Sequence, residues 1–223
     1  MQIPLRINYR KWRQLFSLFS FLLITACSGD NYETGNGDLS YLTSELVEAH
    51  TISAQTIDYV LTDDGKQLSL VTPLSATWAT EAGKYYRALL YYQPSQTNAN
   101  TIVPYRISQV SVLQPKALSD LDDIATDPIT LESAWLSKNK KYLNLRLALK
   151  TADVETQQSI GLLLESDNNQ VVTLQLLHNQ NNVPQYYSVT VFRSIALTSY
   201  PPGTTIILKI NTYKGIIERQ FTL

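Results

Sequence analysis

Residues 56–71 read TIDYVLTDDGKQLSLV. Two runs of alternating apolar and polar residues, Thr56–Thr62 and Gln67–Val71, flank Asp63-Asp64-Gly65. An Asp-Gly pair between alternating runs is a strong hairpin signal, because glycine readily adopts the positive φ that the turn requires. The stretch therefore predicts two antiparallel strands, and the same period-two pattern extends in both directions from it.

Alternation from Tyr41 onward predicts an all-β protein, since helical spacing of apolar residues is not seen in this part of the chain. Its first part contributes five strands, namely Tyr41–Ser53, Thr56–Thr62, Gln67–Val71, Tyr85–Tyr92 and Tyr105–Leu113. Five strands with a long initial member fit a small OB-type barrel, which closes its sheet and leaves no exposed edge. We therefore predict an OB-like barrel domain over residues 39–118.

A second β domain is predicted after a stretch that is acidic and poor in large apolar residues. This stretch, residues 119–128, contains four aspartates and ends at Pro128, and it is predicted to be a linker. Beyond it, short strands at the spacing typical of a β-sandwich are predicted. They are Ile129–Leu136, Tyr142–Lys150, Ser159–Glu165, Gln170–His178, Tyr186–Ile195, Thr204–Asn211 and Ile216–Leu223. We therefore predict a seven-stranded β-sandwich domain over residues 129–223.

The N-terminus has the pattern of an export signal. A basic segment with Arg6, Arg10, Lys11 and Arg13 precedes an apolar run from Leu15 to Ala26. Twelve helical residues rise only about 18 Å, well short of the ~30 Å hydrocarbon core of a bilayer. Residues 1–26 are therefore predicted to be a signal peptide and not a transmembrane span.

The signal peptide ends in Ile24-Thr25-Ala26-Cys27, which resembles the lipobox of bacterial lipoproteins. The resemblance implies that Cys27 becomes the first residue after cleavage and carries acyl chains that hold the protein on a membrane. Cleavage removes four basic and no acidic residues, so the net charge falls from −1 to −5. Residues 27–38 are polar, without apolar periodicity, and are predicted to be a flexible tether.

Residue 28 is serine, and the first aspartate after Cys27 stands at position 30. By resemblance to the sorting rules of Gram-negative lipoproteins, the absence of aspartate directly after the cysteine implies an outer membrane lipoprotein. Both the periplasmic and the cell-surface face remain open.

The chain has few of the residues that enzymes and metal sites use. It has two histidines, one cysteine, no zinc or calcium motif and no glycine-rich phosphate loop. Its 18 basic and 19 acidic residues leave no excess positive charge for nucleic acid. We therefore predict no catalytic activity, no metal or other cofactor and no nucleic-acid partner. His50 and His178 are predicted to be structural, and the pairs Asp63-Asp64 and Asp122-Asp123 to be solvated turn residues.

Aromatic residues supply the candidate binding surface. Alternation along Tyr85–Tyr92 directs Tyr86, Ala88, Leu90 and Tyr92 to the barrel core and the other four residues outward. On an OB fold, a face that combines a cation with aromatic rings is a surface on which sugars or single-stranded nucleic acids can stack. The candidate binding residues are Tyr85, Arg87, Tyr91, Trp78 and Tyr105. The alternative is that these rings pack under loops or cover the contact with the second domain.

Several motifs together resemble the NigD-like lipoproteins of Gram-negative anaerobes. They are the hairpin at Asp64-Gly65, the strand Tyr85–Tyr92 leading to Tyr105-Arg106-Ile107, Trp135-Leu136-Ser137, Tyr142-Leu143-Asn144-Leu145 and Leu174-Gln175-Leu176-Leu177-His178. The resemblance covers about residues 24–223 and implies a lipobox, an OB domain and a C-terminal β-sandwich. One departure is the turn 138–141, where the family usually has a glycine before the tyrosine. Trp135 is predicted to fill the sandwich core.

The predicted function is that of a non-enzymatic, lipid-anchored envelope protein. It would act as a binding or accessory module by contacting another envelope protein, through the outer face of the barrel or the groove between the domains. Two alternatives stay open. One is binding of a glycan or peptidoglycan fragment by the aromatic face. The other, suggested by the family resemblance alone, is immunity to a secreted bacteriocin.

Overall fold

The computed structural model describes residues 42–95, 98–121, 124–152, 157–168 and 170–223. The predicted signal peptide, Cys27, the tether and Asp122-Asp123 lie outside the described residues. Within the described ranges, no helix is long and apolar enough to cross a bilayer.

The first five strands form a closed barrel. They are β1 (Thr43–Ser53), β2 (Thr56–Thr62), β3 (Gln67–Ser75), β4 (Tyr85–Pro94) and β5 (Thr101–Gln109). Their order around the barrel is β1-β2-β3-β5-β4, the order expected for an OB-type Greek-key barrel. The hairpin predicted around Asp64-Gly65 is confirmed: β2 and β3 pair antiparallel, and Gly65 has a φ of 83°.

The barrel core is formed by the inward-facing side chains of its strands. From β4 it takes Ala88, Leu90 and Tyr92, with Tyr86 packed against its end, as alternation predicts. The neighbouring strands add Val47, Ala49, Ile57, Val60 and Ile102, all at most 1% exposed. Arg87, Leu89 and Tyr91 are therefore on the outside of the barrel, on one side of β4.

Two four-stranded sheets form the β-sandwich. One has the order β6-β11-β8-β7 and the other β13-β12-β10-β9. The strands are β6 (Ser111–Leu113), β7 (Thr130–Leu136), β8 (Tyr142–Thr151), β9 (Ser159–Asn168), β10 (Val171–Asn179), β11 (Tyr187–Ala196), β12 (Thr205–Thr212) and β13 (Gly215–Thr222). Leucines and isoleucines from the facing sides fill the space between the sheets. The predicted all-β class, with a barrel followed by a sandwich, is confirmed.

The predicted strand Tyr105–Leu113 is wrong at its end, because the chain leaves the barrel there. β5 ends at Gln109, and the amide of Val110 donates to the carbonyl of Arg87. Ser111–Leu113 then pairs in parallel with β11, and Leu113 joins the sandwich core. The sandwich thus has eight strands in the described residues, one more than predicted. Alternation within a short apolar run cannot show which sheet the run joins.

Candidate binding groove between the barrel and the sandwich

A polar network joins the outside of the barrel to the outer face of the sheet that contains β8 and β11. Arg87 is 4% exposed, and its guanidinium donates to both carboxylate oxygens of Asp63 over 2.6 and 2.8 Å. It also donates to Asn144 Oδ1 (2.9 Å) and Ser194 Oγ (3.1 Å), and it lies over the ring of Tyr142. The buried charge is therefore paired with a carboxylate, and each of its three nitrogens donates a hydrogen bond, which offsets the cost of burying a cation.

A second set of contacts extends this junction along β1. Glu48 accepts hydrogen bonds from the hydroxyl of Tyr142 (2.9 Å) and the ammonium of Lys141 (2.8 Å). Burial, followed by the nearby Glu48, raises the pKa of Tyr142 to about 12, so its hydroxyl remains a donor at neutral pH. The amide of Asn139 donates to the carbonyl of Asp63. Backbone and side chains therefore both hold the two domains together.

Beyond this junction the two surfaces separate and enclose a groove of about 510 Å³. On β4, the outward residues after Arg87 are Leu89 and Tyr91, and both line the groove. On β11, the residues that alternate with Ser194 are Phe192 and Thr190, and they line the opposite wall. The junction therefore forms the closed end of the groove, and the alternate positions of β4 and β11 face each other across it. The intervening residues Val191 and Arg193 of β11 also line the groove.

The groove is lined by three arginines and by no carboxylate. Arg106 pairs with Tyr91 across β4 and β5, and Arg146 pairs with Phe192 across β8 and β11. Arg146 donates to Glu132, which stands outside the lining, over 2.7 Å. Arg106 and Arg193 have no acidic partner among the described residues. The groove is thus positively charged in a protein whose sequence is nearly neutral.

Arg193 is the partly buried cation of this set. Its Nη1 donates to the carbonyl of Phe192 over 2.8 Å. Burial lowers the pKa of its guanidinium from the ordinary value, and no neighbouring carboxylate counteracts this shift. An arginine remains charged at any physiological pH, so the desolvated charge has to be stabilised by polar neighbours or by an anion.

The predicted binding residues do not form one site. Alternation correctly directs Arg87 away from the barrel core, but the prediction that it lies on an open face is wrong, because the sandwich covers it. Tyr91 lies in the groove, whereas Tyr85 lies six residues away on the same strand, a separation of about 20 Å. Arg87 stands between them, inside the junction.

Tyr85 belongs to a separate row of rings on the barrel. It is 50% exposed, and its hydroxyl is 2.7 Å from that of Tyr59. His50 lies between them, stacked on Tyr59 at 4.3 Å, with its Nδ1 2.7 Å from Asp58. The hydrogen bond to Tyr85 raises the pKa of Tyr59 to about 12. The sequence prediction missed His50 and Tyr59 as neighbours of Tyr85, although all three stand on outward positions of adjacent strands.

Trp78 and Tyr105 occupy two further places. Trp78 packs edge-on against Tyr86 at 5.9 Å and covers the barrel core, so its ring does not share a face with Tyr91. Tyr105 is 41% exposed at a bulge of β5, where Tyr91 pairs with Arg106 and Tyr92 with Pro104. Its hydroxyl donates to Gln93. A bulge reorients a side chain in a way that strict alternation cannot predict.

Trp135 does not fill the sandwich core, so that prediction is wrong. It is 37% exposed and pairs with Asn144 on the face of the sheet that the barrel covers. With Glu45, Asp63, Asp64 and other residues it lines a smaller cavity of about 280 Å³. Burial raises the pKa of Glu45, which accepts a hydrogen bond from Tyr92.

Asp63 is not the solvated turn residue that the sequence predicts, because its carboxylate is only 15% exposed and pairs with Arg87. His178 is 3% exposed, and its two ring nitrogens contact the carbonyl of Asp127 and the amide oxygen of Gln158. In the described part of the chain, no three His, Cys, Asp or Glu side chains are placed to hold a metal ion. The arrangement that the described residues do provide is a positively charged groove with apolar and aromatic walls.

Comparison with known proteins identifies the second domain. Residues 110–223, about half of the chain, match the family model of the NigD-like C-terminal beta sandwich domain. The chain belongs to the NigD-like family. The match begins at Val110, where the structure shows the chain leaving the barrel for the sandwich. The barrel and the sandwich of this NigD-like protein can also be compared together with solved structures.

Three solved structures illustrate the fold of this NigD-like chain. A NigD-like immunity protein from Bacteroides caccae is 24% identical, with a TM-score of 0.67 over 81% of this chain and 96% of that one. A protein of unknown function from Bacteroides vulgatus is 19% identical, with a TM-score of 0.63 over 82% and 90%. A candidate lipoprotein from Bacteroides fragilis is 11% identical, with a TM-score of 0.55 over 81% and 96%. No curated protein matches the chain.

Proposed function

We propose that this NigD-like protein is a lipid-anchored envelope protein that acts as a non-enzymatic binding or accessory module. It contacts a partner protein through the groove between its domains. The observation that carries the proposal is the groove itself. Its walls come from both domains, and the Arg87 network holds those walls at one closed end.

The composition of the groove supports a protein partner. Leu89, Tyr91 and Phe192 supply apolar and aromatic surface, and arginines surround them. Aromatic residues and arginine are enriched at the energetic centres of protein interfaces. A groove anchored by a buried network also loses little conformational freedom on binding, and this favours affinity.

Site-specific photo-cross-linking in the native membrane tests the proposal. A photoreactive amino acid replaces Ser108, which lines the groove, in the full-length acylated protein. The matched position is Gln220, an exposed residue of β13 in the other sheet. We expect a discrete cross-linked protein from position 108 and none from position 220.

A groove variant makes the result specific. Tyr91→Ala removes an aromatic ring from one wall of the groove and is expected to abolish the cross-link from position 108. The control is Tyr213→Ala, at an exposed tyrosine of the β12–β13 turn, which should leave the cross-link unchanged. Equal cross-linking at positions 108 and 220, or none at 108, would exclude the groove as the contact surface.

The resemblance of the fold to a structure named as a NigD-like immunity protein motivates a second candidate function, protection of the cell from a secreted bacteriocin. The toxin would then be the partner in the groove. Deletion of the gene is expected to sensitise cells to toxin from related strains, and the Tyr91→Ala protein to fail to restore protection. Unchanged sensitivity of the deletion strain would eliminate this candidate.

The aromatic row of Tyr59, His50 and Tyr85 motivates the glycan alternative, because exposed rings can stack on sugars. A peptidoglycan digest offered to the purified protein would bind in a Tyr85-dependent way under this alternative. Acylation at Cys27 and outer-membrane location are part of the main proposal. Mass spectrometry of the N-terminal peptide and membrane fractionation test them.

A further inference from the structure

The unpaired arginines of the groove call for an anion. Arg106 is exposed and Arg193 partly buried, and among the described residues neither has an acidic partner within 4 Å. The lining contains no carboxylate, so nothing within the groove balances these charges. Guanidinium groups bind carboxylates with charge-assisted hydrogen bonds, which gain strength where water is excluded.

The surroundings of these arginines favour a polypeptide over a small anion. The groove of about 510 Å³ also presents Leu89, Tyr91 and Phe192, which have no role in binding a bare phosphate. Along the same wall, β6 pairs only with Arg193–Ile195 of β11. Residues 188–192 of β11 pair with β8 on one side and with no described strand on the other. An extended segment can add to such an edge by main-chain hydrogen bonds.

We propose that the groove binds an acidic polypeptide segment of the partner protein. Arg106 and Arg193 hold its carboxylates, and Tyr91 and Phe192 pack against its apolar side chains. This inference rests on the proposed function, because it specifies the chemistry of the partner at the same groove.

A display library of random short peptides, selected on the full-length protein in detergent, tests the inference without choosing a ligand in advance. We expect the enriched peptides to carry an excess of Asp and Glu over the starting library. Binding of one such peptide should weaken with rising salt and disappear when its acidic residues are replaced by their amides.

Charge-removing variants locate the contact. Arg106→Gln and Arg193→Gln should each weaken binding of the enriched peptide at least about tenfold, which corresponds to losing one charge-assisted hydrogen bond. Arg219→Gln is the matched control, because Arg219 Nη1 donates to the carbonyl of Glu218 over 2.9 Å, as Arg193 does to Phe192. This variant should bind normally. Because Arg106 is exposed, its variant provides the test if Arg193→Gln fails to fold.

Several outcomes would overturn the inference. They are the absence of enriched peptides, enrichment without acidic excess, equal binding by the three arginine variants, and displacement of the peptide by inorganic phosphate at low millimolar concentration. The photo-cross-linking experiment separates this failure from failure of the proposed function. A cross-link at position 108 that persists in Arg106→Gln and Arg193→Gln retains the groove as a binding surface and rejects its acidic specificity.

Discussion

Arg87 is a buried cation that forms hydrogen bonds with one residue of its own domain and two of the other. Its partners are Asp63 in the β2–β3 turn and Asn144 and Ser194 in the sandwich. Removing Arg87 leaves the carboxylate of Asp63 desolvated and without a countercharge, although Asn144 Nδ2 still donates to it over 3.1 Å. The role of Arg87 is thus to hold the groove's closed end, and a binding assay on an Arg87 variant would report stability as well as binding.

We predict that Arg87→Ala lowers the free energy of unfolding by about 3–5 kcal/mol, since it leaves Asp63 as an uncompensated, largely buried charge. Urea denaturation followed by tryptophan fluorescence measures the change. Arg219→Ala, at an exposed strand position, is the control and should change stability by less than about 0.5 kcal/mol. Similar stabilities of the two variants would contradict this assignment.

Glu45 provides a pH-dependent prediction. Burial, with smaller contributions from Asp64 and Asp63, raises its pKa above the usual 4.5, while the hydrogen bond from Tyr92 opposes the shift. A carboxyl whose pKa is raised by folding favours the folded state most below the unfolded pKa, and this advantage is lost as pH rises through the folded pKa. Glu45→Gln keeps an acceptor for Tyr92 and removes the ionisation.

We therefore expect Glu45→Gln to be more stable than the parent protein at pH 7, and the difference to shrink as the pH falls below 4.5. Urea midpoints at pH 4 and pH 7 provide the comparison. A difference that is the same at both values would show that the ionisation of Glu45 carries no cost in the folded protein.

At the scale of the elements, the β7–β8 turn contacts the barrel. Lys140 in this turn has a φ of 57°, and the amide of the neighbouring Asn139 donates to the carbonyl of Asp63. The left-handed conformation is unfavourable for a residue with a side chain and favourable for glycine. The family that the chain resembles usually has a glycine before the tyrosine, whereas this chain has lysines there, and the left-handed residue stands two positions before Tyr142.

We predict that Lys140→Gly raises the free energy of unfolding by up to about 1 kcal/mol, because it relieves the left-handed strain. Lys138→Gly, in the same turn without a positive φ, should lower it slightly, since glycine only adds chain entropy there. Thermal unfolding of both variants measures these changes in stability. A stabilised Lys138→Gly protein together with an unchanged Lys140→Gly protein would contradict the prediction.

At the scale of the whole molecule, the junction should make the barrel and the sandwich unfold together. Glu48 of β1 accepts hydrogen bonds from Tyr142 and Lys141 of the sandwich, and it adds to the Arg87 network. Calorimetry of the full chain should show one transition. The double variant Glu48→Ala, Arg87→Ala removes both sets of contacts and should divide it into two.

The calorimetric prediction has a matched control. Glu165 pairs with Lys209 within one sheet of the sandwich, away from the junction, so Glu165→Ala should keep the single transition. Two transitions in the unmodified protein would show that the junction is too weak to couple the domains, and the groove would then have walls that move independently.

Local patterns in the sequence determined much of the fold. Asp64-Gly65 specified its hairpin, alternation on β4 separated Ala88 and Leu90 from Arg87 and Tyr91, and strand spacing predicted a barrel followed by a sandwich. These features depend on backbone sterics and on the period of two, which act between near neighbours in the chain.

Only the tertiary structure decided what covers the outward-facing side chains of the strands. Arg87, Asn144 and Ser194 are far apart in sequence, and only the docking of two domains buries them together. The same docking brings Tyr91 and Arg106 opposite Phe192 and Arg146 and turns Trp135 away from the core. Alternation assigns a residue to a face, but it carries no information about what covers that face, because contacts between sheets depend on residues distant along the chain.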